Sequence, residues 1–282
     1  MIQRRRILGL LPLALASPKL FAAGTSPIRV GLTPAFVHDQ HALLADWREY
    51  MEKRLGRTVT FVPRNSYRET MDLLRLEKID FAWISDYPYV HLGKQVRLLA
   101  VPIYRGKPLF HAYLIVPASD KHTSSILQLK GRVFAYADPY SNTGYLVPRY
   151  QLSQAGEDPN QFFRKTFFTY SHRNLVQSVA IGLAHGGSVD SYVWDTLSRI
   201  QPEVTARTRI AAHSTEYGFP PLVASRAVEQ ADFAAMQQLL LSMGRDPEGQ
   251  ALLARFYLDG FSVGDDLLYQ GVAEMMRALR EE

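Results

Sequence analysis

Asp138-Pro139-Tyr140-Ser141-Asn142-Thr143-Gly144-Tyr145-Leu146-Val147-Pro148 reads as the end of a strand, a hydroxyl-rich turn and the start of a helix. The first N–H groups of a helix have no carbonyl within it to bond, and they sit at the positive end of its dipole. Side-chain hydroxyls gathered there add further donors. The combination captures an anion without any lysine or arginine. Gly144 lets the backbone approach closely, and Pro148 fits only near a helix start, where few N–H groups are needed. The stretch points to a small oxyanion as ligand, and to binding rather than chemistry.

The segments around this turn repeat one α/β theme. Ile28-Arg29-Val30-Gly31-Leu32 is a strand running into the loop Thr33-Pro34-Ala35-Phe36. Leu43, Leu44, Trp47, Tyr50, Met51 and Leu55 follow at helical spacing, and Gly56 ends that helix. Val59–Val62 is the second strand. Ser66 with Glu69 forms a capping box for a helix through Lys78. Phe81–Ile84 is the third strand. This alternation argues for a mainly parallel sheet with helices on both faces. A strand pair is expected near Arg97–Ile103 and His111–Pro117.

The unit then restarts. Arg132–Tyr136 is a strand, and Gly144–Ala155 is a helix stopped by Gly156. Thr166–Thr169 is a strand, and Ser171 caps a helix carrying Leu175, Val176, Val179 and Leu183. Gly186-Gly187 ends that helix, and a short strand leads into Asp190. Two tandem α/β units imply two lobes with a cleft between them. Residues 28–112 form the first part of lobe 1 and residues 113–215 form lobe 2. Residues 216–282 supply a return strand and three helices (Val228–Met243, Pro247–Leu258 and Asp266–Arg280) expected to pack on lobe 1.

The ends and the composition narrow the class. Met1-Ile2-Gln3-Arg4-Arg5-Arg6 is a basic segment, Ile7–Ala16 is apolar, and Leu20–Gly24 offers small residues for cleavage. Residues 1–23 therefore read as a secretory signal whose apolar stretch is too short to span a bilayer. Gln3–Leu8 is similar to the twin-arginine pattern, and Lys19 fits that route; the general secretory route also fits. Without this segment, 28 of the 32 Lys and Arg remain against 27 Asp and Glu. No basic run is left to bind nucleic acid. The chain has no cysteine, which removes disulfides, thiolate metal sites, cysteine nucleophiles and a lipid-modified cysteine. The expected location is the periplasm, as a monomer.

Several ordered segments resemble the PhnD-like phosphonate/phosphite/phosphate-binding proteins of ABC importers. They are Val30–Pro34, Ile79–Trp83, Asp138–Tyr145, Tyr170-Ser171-His172, Val189–Trp194, and the late runs Pro247-Glu248-Gly249 and Leu258–Phe261. The resemblance implies an α/β fold of the two-lobed type II periplasmic binding-protein kind, closing on an oxyanion. It implies an ABC permease as partner. A sensor-kinase periplasmic domain is the alternative partner, and nothing in the chain separates the two.

The resemblance also assigns residues. Ser141, Asn142 and Thr143 match the family's phosphoryl-binding turn, with the N–H groups of Thr143, Gly144 and Tyr145 as further donors. Asn142 stands where a hydroxyl residue is common. His172 matches a ligand-contacting histidine and would aim an imidazole N–H at the anion. Asp190 matches a cleft aspartate. It would accept a hydrogen bond from a P–OH or pair with a ligand's amino group; as a bare sequence feature it also reads as a turn or N-cap aspartate ahead of Ser191–Leu197. Tyr89 and Thr33 are first-lobe candidates, with Phe36 and Tyr67 weaker ones. Ser85-Asp86 departs from the family, which often has Gly-Pro there. Asp86 would repel a dianion, recognise a cationic tail, or stand in solvent. His38 and His41 lack a third ligand and their segment reads as a loop, so no metal site and no cofactor are expected. No Gly-x-Ser-x-Gly or Gly-x-x-x-x-Gly-Lys motif supports an enzyme.

Overall fold

The computed structural model describes residues 26–34 and 41–281. The signal segment 1–23, Phe36 and His38 lie outside them. In chain order, β1 (Ile28–Leu32) is followed by α1 (His41–Leu55), β2 (Val59–Pro63), α2 (Tyr67–Arg75), β3 (Phe81–Trp83), α3 (Asp86–Leu92) and β4 (Val96–Ile103). Next come β5 (Leu109–Phe110), β6 (Ala112–Pro117), β7 (Val133–Tyr136), α4 (Val147–Gln154), β8 (Lys165–Phe168), α5 (His172–Ala180) and β9 (Gly186–Asp190). The chain continues through α6 (Ser191–Ile200), α7 (Pro202–Thr205), β10 (Thr208–His213), β11 (Tyr217–Gly218) and β12 (Leu222–Ser225). It ends with α8 (Gln230–Ser242), α9 (Pro247–Phe256), β13 (Gly260–Ser262) and α10 (Gln270–Leu279).

The strands form two large sheets. One has the order β13-β4-β12-β3-β1-β2 and the other β10-β6-β9-β7-β8. The α/β class expected from the alternation is present, but the sheets are mixed rather than mainly parallel. Only β1 with β2 and β3, and β7 with β8 and β9, run parallel. The returning strands β12 and β13, and β6 and β10, enter antiparallel. The expected pairing of the two strands after α3 does not occur. β4 lies between β12 and β13, while β6 lies between β9 and β10, in the other sheet. The chain thus crosses from sheet to sheet after β4 and returns after β10. The two crossings pair with each other as the antiparallel ribbon of β5 and β11.

Local chemistry explains the elements. The capping box of α2 is formed: Glu69 N–H donates to Ser66 Oγ at 3.3 Å, and Ser66 N–H donates to the Glu69 carboxylate at 3.2 Å. The helix ends at Arg75 rather than Lys78. Trp47 of α1, Trp83 of β3 and Phe256 of α9 pack edge-on with ring centroids 5.1–6.1 Å apart, joining helix layer to sheet. Helix α5 stops at Ala180, well before the glycine pair, and Leu183 is exposed. Gly186-Gly187 instead lie inside β9. A Cβ on Gly187 would sit 2.7 Å from Leu175 Cδ2 and 3.1 Å from the Ala135 carbonyl oxygen. The pair lets helix and sheet approach closely, and is not a helix stop.

The C-terminal helices divide their packing. Helices α8 and α9 lie on the first sheet's side, against α1, β4 and β13. Helix α10 departs from the expectation: Val272, Met275 and Met276 pack with Tyr87 of α3 and with Leu146 and Val147 at the start of α4. It touches elements that follow strands of both sheets.

Candidate functional site

The Ser141–Gly144 turn follows β7, at the C-terminal edge of the second sheet, where ligands of open α/β sheets bind. The structure adds a feature that hydroxyl spacing does not reveal. Residues Asn142–Leu146 form a π-helical turn that runs into α4, with Leu146 N–H donating to the Ser141 carbonyl at 3.0 Å. Such a turn is wider than an α-turn and is common at functional sites. Ser141, Asn142, Thr143 and Gly144 are all buried.

Ser141 is the organising residue. Its Oγ accepts from Gly144 N–H at 3.0 Å and lies 3.2 Å from His172 Nε2. His172 Nδ1 accepts from the Asp190 N–H at 3.2 Å. This fixes the tautomer: a neutral ring whose Nδ1 accepts must carry its proton on Nε2, and that proton points at Ser141. Burial holds the imidazole neutral, with its pKa lowered to about 3. Both ring nitrogens are therefore engaged within the protein, and His172 does not present a free N–H to the cleft. It stands behind Ser141 and orients it. With both acceptor positions of Ser141 filled, its own O–H is directed as a donor toward the Tyr67 phenol oxygen.

Thr143 differs. Its carbonyl accepts from Ser188 Oγ, while its hydroxyl has no hydrogen-bond partner among the described residues. Gly144 is required by space: a Cβ there would lie 2.4 Å from Ala137 Cβ and 2.9 Å from both Ser141 Oγ and His172 Cε1. Tyr145 turns its ring away, onto Tyr136 and Phe168, so only its backbone belongs to the turn.

Asp190 is at once the N-cap of α6 and a member of this cluster. Its Oδ1 accepts from Val193 N–H at 3.2 Å, and it is buried beside His172. Desolvation pushes its carboxyl well above the usual range, and the charge of Asp86 adds to this. Both sequence readings of Asp190, cap and cleft residue, describe the same side chain.

Across from the turn stand residues that follow strands of the first sheet. Asp86 is fully buried, so the solvated reading is overturned. Its Oδ1 accepts from Ser85 Oγ at 2.8 Å and Tyr87 N–H at 3.1 Å; its Oδ2 accepts from Asn142 Nδ2 at 2.5 Å. Burial raises its pKa to about 7 against these donors. Asn142 Oδ1 is buried with no partner. A second bond crosses in the opposite direction: Tyr67 N–H, at the start of α2, donates to Asp138 Oδ2 at 3.2 Å.

Of the other first-lobe candidates, Thr33 is buried with its hydroxyl donating to the Trp83 carbonyl at 3.3 Å. Tyr89 is not brought to the cluster: its phenol donates to the Asp266 carboxylate and its ring packs on Tyr269. Tyr67, ranked weaker, is buried at the cluster instead. The capping box could have identified it, since Ser66 places Tyr67 at the N-terminus of a helix that follows a parallel strand. Asp138 has no role that the sequence reveals, and its carboxylate bridges the two halves. His41 opens α1 rather than lying in a loop.

Two mixed sheets joined by a paired double crossing, with polar helix starts facing each other, define a periplasmic binding-protein fold. Residues 30–269 match the family model of the phosphonate ABC transporter periplasmic substrate-binding protein. The chain belongs to this family, a substrate-binding component of transport rather than an enzyme. Among curated relatives, it is 24% identical over 221 residues to the probable ABC transporter phosphite binding protein PhnD1 of Prochlorococcus marinus (strain MIT 9301), covering 72% of this chain and 73% of that protein. It is 23% identical over 238 residues to the phosphonates-binding periplasmic protein of Escherichia coli (strain K12), covering 81% and 70%. The crystal structure of PhnD1 from Prochlorococcus marinus with methylphosphonate superposes with a TM-score of 0.83 at 20% identity, over 92% of this chain and all of that one. Among the described residues, no helix is long and apolar enough to cross a membrane.

Proposed function

We propose that this protein captures a phosphonate-, phosphite- or phosphate-type oxyanion in the periplasm and delivers it to an ABC permease. Residues 28–112 and 216–282 act as one lobe and residues 113–215 as the other. The lobes close about the β5–β11 ribbon, in the hinge manner. The anion is held by Thr143 Oγ, the Ser141 hydroxyl and the first N–H groups of the π-turn, with His172 orienting Ser141. Asp190, Asn142, Tyr67 and Thr33 complete the walls.

One observation carries this reading: the buried residue Thr143 keeps a hydroxyl that makes no hydrogen bond among the described residues, at a helix start where Ser141 and Gly144 are held in place. Pre-organised neutral donors at a helix N-terminus favour an oxyanion without a counter-cation. The family match and the ligands named for the relatives, phosphite and phosphonates, agree with it.

The test is calorimetric titration of ligand-stripped protein with phosphate, phosphite, methylphosphonate, 2-aminoethylphosphonate and sulfate. Micromolar or tighter binding of a phosphorus oxyanion, weakened at least tenfold by Thr143→Val, is the expected result. Folded protein that binds none of them would refute the assignment.

A further inference from the structure

The carboxyl of Asp86 stands where an anion-binding site should least tolerate one. It is fully buried, and its Oδ2 meets Asn142 of the anion-binding turn at 2.5 Å. No lysine or arginine pairs with it among the described residues. The titratable groups that feel its charge are Tyr67, Asp190, Tyr217 and Tyr269, from α2, β9, β11 and the turn before α10. Burial favours the protonated form of each. His172, also in the cluster, is held neutral. Asp138, the remaining carboxyl, is already committed to the N–H groups of Tyr67 and Tyr140. No cation is therefore at hand to separate Asp86 from a bound anion.

Resting on the oxyanion-binding reading above, we propose that Asp86 couples capture to proton uptake: the anion seated on the Ser141–Gly144 turn is held with one proton shared between its oxygen and the Asp86 carboxyl. Two like charges this close in a buried site cannot both persist, and the cheapest remedy is a proton from solvent. That proton resides on the ligand as P–OH or on Asp86 as COOH, and either form makes one charge-assisted O–H···O bond. Burial has already raised Asp86 to about 7, so a second charge nearby needs to add little for the site to protonate at neutral pH. The buried Asn142 Oδ1, which has no partner, is a further acceptor within the cluster. The resulting specificity favours anions that carry an ionisable proton near neutrality over fully ionised ones.

The experiment measures proton uptake. Methylphosphonate is titrated calorimetrically into ligand-stripped protein at about pH 8 in two buffers of different ionisation heat, with sulfate as a probe that holds no proton there. The wild type is expected to take up about one proton per methylphosphonate and to bind sulfate about tenfold more weakly per pH unit above neutrality. In Asp86→Asn the uptake should fall by at least half and the sulfate dependence should flatten. Asp86→Ser serves as a second variant in case the amide perturbs the fold, which circular dichroism checks. Binding with no uptake, or with equal uptake in wild type and a folded variant, overturns the proton coupling while leaving oxyanion binding intact. Failure of the wild type to bind any phosphorus oxyanion overturns both readings, and the isotherm alone distinguishes that case.

Discussion

Ser141 and Thr143 are two residues apart in one turn, yet the structure gives them opposite roles, and this is testable. Ser141 Oγ accepts from Gly144 N–H at 3.0 Å and from His172 Nε2 at 3.2 Å, in a region without solvent. Ser141→Ala leaves both donors buried and unpartnered. Each costs about 1–3 kcal/mol, so the variant should lose about 2–6 kcal/mol of stability. Thr143→Val keeps the side chain's shape and removes only a hydroxyl that bonds nothing among the described residues. Its stability should change by less than about 1 kcal/mol. Binding should respond differently, because both residues contribute donors to an ionised ligand. Loss of one charge-assisted hydrogen bond, at about 1.5–3 kcal/mol, weakens the affinity roughly 10- to 150-fold in Thr143→Val. Urea unfolding without ligand reads the first quantity and calorimetry the second. A Ser141→Ala midpoint within about 0.5 kcal/mol of wild type would refute the network, since no relaxation was invoked to absorb two orphaned donors. A Thr143→Val variant as unstable as Ser141→Ala would refute the claim that its hydroxyl is free for a ligand.

Three further outcomes are expected. Gly144→Ala forces a Cβ to 2.4 Å from Ala137 and 2.9 Å from Ser141 and His172; overpacking of about 1–3 kcal/mol should lower the thermal midpoint and abolish binding, and a fully stable variant that still binds would contradict this. Asp86 has its pKa raised from 3.8 to about 7, so the folded protein keeps a proton that the unfolded chain releases. Its stabilising contribution is full below the unfolded value and is lost as pH rises from about 4 through 7. Asp86→Asn should therefore remove a fall on the order of a few kcal/mol from the stability–pH profile, whereas parallel profiles would count against it. His172 carries the opposite sign, with its pKa lowered from 6.5 to about 3. Its contribution is present above 6.5 and is lost as pH falls toward 3, so His172→Gln should blunt acid destabilisation in that window, read from urea midpoints.

The parts of this molecule legible in the sequence are those set by near neighbours. The capping box at Ser66 and Glu69 follows from local spacing and was formed as expected. The turn at Ser141–Gly144 stands out in the sequence as a hydroxyl-rich stretch between an apolar strand and a Pro-bearing helix start, and the structure shows it to be such a turn. What escaped depends on partners far along the chain. Val96–Ile103 and Ala112–Pro117 both read as strands, but nothing local says that their neighbours are β12 and β13 for one and β9 and β10 for the other. Gly186-Gly187 looks like a break from composition alone. Only the approach of Leu175 and of the Ala135 carbonyl explains why a strand needs two glycines. Tyr89 was preferred to Tyr67 because it follows β3, yet helix α3 carries it past the sheet edge to Asp266. Tyr67 starts its helix, and a residue at a helix start stays at the edge where the strands end.

The same edge explains how a site built largely from carboxylates and neutral donors can suit an anion. Each half offers a helix start after a parallel strand, α2 in one and the π-turn into α4 in the other. Each start is met by a carboxylate from the opposite half. Asp138 reaches the first N–H of α2, and Asp86 reaches the Asn142 amide. The arrangement is reciprocal, and it sets a charge count. Two helix starts carry roughly half a positive charge each, and two carboxylates ionised beside them would already exceed that. A phosphorus oxyanion adds at least one negative charge more. Unless the halves separate, protons meet the sum at least cost, and burial has prepared Asp86 and Asp190 to hold them by raising both. If the halves close on an oxyanion as proposed, closure and protonation would be one event, because bringing the halves together would remove the water that lets the carboxylates ionise. A lysine or arginine in the site would break this link by supplying fixed charge in the open and closed forms alike. On the proposed reading, the absence of a lysine or arginine from the Ser141–Asp86 cluster among the described residues would tie binding to the closed form.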